Sequence, residues 1–126
     1  MEKTQRRLLV IDDERDIAEF IGEVAKGLGY DILVTADAES FMAQYESFRP
    51  DVVVIDVVMP KTDGIELVKL LAESGCNARI LVISGYAERY LRNTKSLAEA
   101  FGLPSVKTMT KPLEISELES FLAPTP

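Results

Sequence analysis

The amino-acid sequence predicts an α/β fold, a (βα)5 unit with a doubly wound, five-stranded parallel sheet. Two observations point there. Short apolar runs alternate along the chain with longer segments in which apolar residues recur at helical spacing. The runs Leu8–Ile11, Val52–Ile55 and Ile80–Ile83 are apolar at every position, the pattern of strands buried on both faces.

Each element has its own signal. Leu8–Ile11 is the first strand. Ile17, Phe20, Ile21, Val24 and Leu28 then share one face of a helix that stops at Gly29. Ile32–Val34 is the second strand. Asp37 caps a helix that buries Phe41, Met42, Tyr45 and Phe48 and ends before Pro50. Val52–Ile55, the most apolar run, is the third strand and the centre of the sheet. Met59-Pro60-Lys61-Thr62-Asp63-Gly64 is a turn-rich loop, leading into a helix that carries Ile65, Val68, Leu71 and Ala72. Ile80–Ile83 is the fourth strand. Tyr90, Thr94, Leu97, Ala98 and Phe101 mark one face of the next helix, which ends at Gly102. Ser105–Thr110 is a fifth, more mixed strand, and a last helix buries Ile115, Leu118, Phe121 and Leu122. All these helical faces read as core.

Composition narrows the function. The 126 residues make a single domain spanning 1–126, with 123–126 read as a tail or the start of a linker. A formal net charge of -7 argues against direct nucleic-acid binding, which needs a basic face. There is no histidine, so Ser-His-Asp and Cys-His catalysis and His-ligated metals are excluded. The single cysteine, Cys76, has no metal-site spacing around it and reads as an incidental thiol. No glycine-rich nucleotide loop, signal-peptide core or membrane-length apolar stretch is present, so the expected location is cytoplasmic, with no membrane association.

What remains is chemistry at one sheet edge. The predicted strands end in Asp12-Asp13, Asp56, Ser84 and Lys111. In an open parallel sheet the carboxyl ends of the strands line a common crevice where ligands bind. Carboxylates crowded there repel, which raises their proton affinity or recruits a cation. Oxygen ligands without nitrogen or sulfur suit Mg²⁺. Taken singly, each residue is explained by a turn, a cap or a solvated charge; their coincidence at one edge is not.

The Asp-Asp pair, the Met-Pro-x-x-Asp-Gly loop after Asp56 and the Lys-Pro after the fifth strand closely resemble the receiver domain of two-component response regulators, from Leu8 to Leu122. The resemblance implies a flavodoxin-like sheet of order 2-1-3-4-5. It implies that Asp56 takes a phosphoryl group from a phosphohistidine on a sensor histidine kinase or phosphotransfer protein. Asp13 and Asp56 would ligate Mg²⁺, with the backbone carbonyl of Val58, and Asp12 would act through water. Lys111, before a cis peptide to Pro112, would pair with a phosphoryl oxygen, and Ser84 would hydrogen-bond the phosphoryl group. The resulting surface change would be read by a downstream effector or a fused output domain. Such a domain is a phospho-acceptor switch rather than an enzyme. The competing reading is an interaction module that keeps the fold without phosphorylation.

The sequence departs from the family on the fifth strand. Thr108 stands three residues before Lys111, where the family usually has a Tyr or Phe whose ring swings inward on activation. Tyr86 or Met109 would then take part of the switching role. Val58 and Tyr86, two residues after Asp56 and Ser84, offer no acid or amide to orient a hydrolytic water. A long-lived phosphoryl state is expected.

Overall fold

The computed structural model describes residues 6–56, 58–59, 62–85, 88–103 and 105–123. Its main sheet contains β1 (Arg6–Ile11), β2 (Tyr30–Thr35), β3 (Val52–Asp56), β4 (Arg79–Ser84) and β5 (Val106–Thr110). Helices α1 (Arg15–Gly27), α2 (Ala38–Phe48), α3 (Gly64–Glu73), α4 (Glu88–Ala100) and α5 (Ile115–Leu122) follow the strands in turn. The strand order is β2-β1-β3-β4-β5, as the family resemblance implies, and every pairing is parallel, as the strand pattern predicts.

Alternation of side chains along each central strand divides the core between the two faces of the sheet. Leu9, Ile11, Val53, Ile55, Ile80 and Val82 pack against Phe41 of α2, Leu67, Val68 and Leu71 of α3, and Ala98 of α4. Leu8, Val10, Val52, Val54, Leu81 and Ile83 meet Ile21 and Ala25 of α1 and Leu118, Phe121 and Leu122 of α5. The sheet is therefore wound on both sides. β3 is buried at all of its positions, consistent with its place at the centre.

The helix limits follow local chemistry. Asp37 Oδ1 accepts a hydrogen bond of 2.8 Å from the Ser40 amide, capping α2. α2 closes on Arg49, which takes the left-handed conformation (φ 54°) just before Pro50. α1 gives way to Gly29, whose φ of 87° favours a residue without a Cβ.

Several limits differ from the sequence reading. β1 begins at Arg6 and β2 at Tyr30, both earlier than their apolar runs suggest. Arg7 fits in a strand because its guanidinium reaches the Phe48 carbonyl (2.8 Å) and lies over the Phe48 ring. Tyr30 is buried and donates its hydroxyl to the Leu122 carbonyl at 2.6 Å. The loop after β3 contains a two-stranded antiparallel ribbon, Val58–Met59 with Thr62–Asp63. Not every apolar position on the last helices is core. On α4, Thr94 and Ala98 turn inward, whereas Leu97 and, just past the helix end, Phe101 are each 38% exposed, and Ile115 at the start of α5 is 54% exposed. Helical spacing identifies the inward stripe but not its width.

Candidate functional site

The parallel register brings the polar strand ends to one level. Ile11 pairs with Ile55, so the next residues, Asp12 and Asp56, lie side by side at the carboxyl edge of β1 and β3. Asp56 pairs with Ile83, and Ser84 pairs with Thr110, so Lys111 lies one step beyond Ser84. The Lys111 amide donates to the Ser84 carbonyl at 2.8 Å. The Lys111–Pro112 peptide is cis.

Oxygens of Asp12, Asp13 and Asp56 all lie within 4.8 Å of one another. Asp12 and Asp56 are 2% and 1% exposed, whereas Asp13 faces solvent. The strand-end pair thus divides into a buried acid and an exposed one. Asp12 Oδ1 accepts from the Glu14 amide at 2.9 Å, while its buried Oδ2 has no hydrogen-bond partner. Lys111 Nζ lies 3.5 Å from Oδ2. Burial pushes the Asp12 carboxyl up from 3.8 to about 6; the Glu14 amide opposes the shift and the charge of Asp56 adds to it.

Lys111 crosses the pocket with its side chain 11% exposed. Its Nζ donates to Asp56 Oδ2 at 3.1 Å and to Glu14 Oε1 at 2.5 Å. Burial works against this ammonium's charge, but the hydrogen bonds to Glu14 and Asp56 and the charges of Asp56 and Asp12 outweigh it, holding the group well above the usual lysine range. Its stem passes Gly85, where a Cβ would lie 3.9 Å from Lys111 Cδ. Ser84 is fully buried.

The structure thus gathers Asp12, Asp13, Asp56, Ser84 and Lys111 at one edge. Val58 lies in the short ribbon directly beyond, paired with Asp63. Thr108 is half-buried on β5, and Met109 is buried among the residues that face α1 and α5. Tyr86 lies outside the described residues. Sequence reasoning missed the contribution of Glu14, which follows the acid pair but meets Lys111 across 97 residues of chain. No periodicity reveals such a contact.

The response regulator receiver domain family model matches residues 8–123. The chain belongs to this family. It is 31% identical over 115 residues to the alkaline phosphatase synthesis transcriptional regulatory protein PhoP of Bacillus subtilis, covering 91% of this chain and 46% of that protein. It is likewise 31% identical over 111 residues to the chemotaxis protein CheY of Treponema pallidum, covering 86% of this chain and 74% of CheY. This receiver domain spans less than half the length of PhoP and a third of the MtrA regulators it also matches. Among solved structures, the receiver domain of Francisella response regulator 1452 superposes with a TM-score of 0.79 at 28% identity, covering 94% of this chain and 93% of that one. Chemotaxis protein CheY4 of Vibrio cholerae shares the fold, with a TM-score of 0.81 at 24% identity over 94% of this chain and 97% of its own. Among the described residues, no helix is long and apolar enough to cross a membrane.

Proposed function

We propose that this receiver domain is a phospho-acceptor switch in which Asp56 takes a phosphoryl group from a phosphohistidine on a sensor histidine kinase or phosphotransfer protein. The observation that carries the reading is Lys111 Nζ, 3.1 Å from Asp56 Oδ2, inside a pocket that also holds two further carboxylates. An Asp56 oxygen forms a bond to phosphorus as the donor's P–N bond breaks, and that electron pair leaves with the imidazole. Asp56 needs no general base because a carboxylate attacks directly. Lys111 is placed to pair with an equatorial phosphoryl oxygen, and Ser84 to donate a hydrogen bond to it.

The donor set fits a resident Mg²⁺. Its oxygens are hard and mutually close, and Asp12 Oδ2 is buried without a hydrogen-bond partner. Asp13, Asp56 and the Val58 carbonyl would hold the ion, with Asp12 acting through water. When bound, Mg²⁺ supplies positive charge against the phosphoryl oxygens. The acyl phosphate then places roughly 1.5 to 2 negative charges beside Ser84. Drawing Ser84 and the following loop inward changes the surface near α4 and β5, which an effector or a fused output domain reads. Tyr86 or Met109 takes over part of the relay that an aromatic residue at Thr108 would otherwise provide. The receiver domain works as a single domain in the cytoplasm, and it serves as its own acceptor rather than turning over an external substrate.

Intact mass measured after incubation with acetyl phosphate and Mg²⁺ tests the reading. One phosphoryl group on the wild type and none on Asp56→Asn is expected. An unmodified wild type favours a phosphorylation-independent interaction module, and continued consumption of donor favours an enzyme.

A further inference from the structure

We propose that Glu14 is a displaceable latch on Lys111, a positioning residue that competes with the phosphoryl group for the ammonium; the inference rests on the phospho-acceptor reading of Asp56. Lys111 Nζ faces three carboxylates, those of Glu14, Asp56 and Asp12. An ammonium has three donors. Two of them are held by hydrogen bonds to Glu14 and Asp56, and the third faces Asp12 Oδ2 at 3.5 Å without a hydrogen bond, so a phosphoryl group arriving on Asp56 competes with the surrounding carboxylates for the ammonium.

Which carboxylate yields is decided by burial. The Asp12 and Asp56 side chains are 0% and 2% exposed at the ends of paired strands, and neither can withdraw without disturbing the sheet edge. The Glu14 side chain is 59% exposed, so water replaces Lys111 as its partner once it lets go. Its backbone stays in place, because the Glu14 amide donates to Asp12 Oδ1 at 2.9 Å. Glu14 also occupies the N-cap of α1, yet its side chain makes no capping hydrogen bond there. The side chain reaches across the pocket mouth to Lys111 instead. Release of Glu14 leaves one ammonium N–H without an acceptor, and a phosphoryl oxygen fills the gap. Withdrawal also moves one negative charge away from an incoming anion.

Two substitutions separate a latch from a simple field effect. Glu14→Gln removes the charge. Glu14→Asp keeps the charge but shortens the reach by one methylene, at a position where Asp turns back to cap the helix. The probe is beryllofluoride with Mg²⁺, a stable stand-in for the phosphoryl group, titrated against protein whose unfolding midpoint has been checked. Both variants should bind it about 2- to 5-fold more tightly than wild type, the range of a half-exposed ion pair. In the free protein, without Mg²⁺ or beryllofluoride, both should also shift the Lys111 Cε resonance. Unchanged affinity, or tighter binding by Glu14→Gln alone, overturns the latch. Failure of the wild type to bind the probe overturns the phospho-acceptor reading instead. The Lys111 resonance then decides the contact by itself, and an unmoved signal in Glu14→Gln refutes it.

Discussion

Replacing Asp12 by Asn should stabilise the metal-free fold while weakening its site. In the folded chain the Asp12 carboxyl titrates at about 6 rather than 3.8, chiefly because burial disfavours the charged form. The folded state therefore holds this proton more tightly than the unfolded chain does. Its contribution to stability is fully present below 3.8 and is lost as pH rises through about 6. A gap of roughly two pKa units corresponds to ~3 kcal/mol at neutral pH. The attraction of Lys111, 3.5 Å away, is already contained in that difference; Asn recovers less than the whole because its amide must face the ammonium in place of a carboxyl oxygen. We expect Asp12→Asn to gain about 1–2 kcal/mol over wild type at pH 8, with most of the gain appearing between about pH 4 and 6. Urea unfolding in the presence of a chelator, repeated across this range, measures the difference directly. A pH-independent difference, or a variant less stable than wild type at pH 8, refutes the argument. The same variant should bind Mg²⁺ more weakly, because the desolvated oxygens that burden the fold are those the ion would use.

Gly22 lies inside α1, and a Cβ there would meet Ile32 Cδ1 at an ordinary 3.9 Å. Gly22→Ala should therefore stabilise the domain by about 0.5–1 kcal/mol in thermal or urea unfolding. Tyr30→Phe removes the 2.6 Å hydrogen bond to the Leu122 carbonyl and should destabilise by about 1 kcal/mol, read as a lower urea midpoint with an unchanged slope. Phe41→Ala empties a fully buried site between the sheet and α2 and should lose about 3–5 kcal/mol. The phosphoryl group on Asp56, followed by intact mass after donor removal, should persist well beyond seconds, because Val58 and Tyr86 supply no acid or amide to orient water; decay within seconds contradicts this.

Much of the architecture was legible because burial on both faces leaves a local signature. β3 and β4 read as unbroken apolar runs, and their successors Asp56 and Ser84 mark where each strand reaches the pocket edge. β5 was harder to read. It is an edge strand with one face half exposed, so its pattern, Val106 to Thr110, is mixed and only Met109 is buried. The ribbon of Val58–Met59 with Thr62–Asp63 escaped notice because two-residue strands carry no periodicity. Leu97 on α4 and Phe101 just past its end follow the same spacing as Thr94 and Ala98, yet only the latter pair turns inward.

The amino-acid sequence alone determined that Asp12, Asp13, Asp56, Ser84 and Lys111 would converge, since parallel strands of matched length place their carboxyl ends together. Only the tertiary structure decided how that charge is distributed. It buried Asp12 and exposed Asp13, although the two are adjacent in sequence. It also set Glu14 on Lys111 from the far end of the chain. Strand pattern and register are local or pairwise properties that a sequence carries openly. The burial of one acid and the reach of one side chain depend on how every crossover packs, and that is settled only when the domain closes.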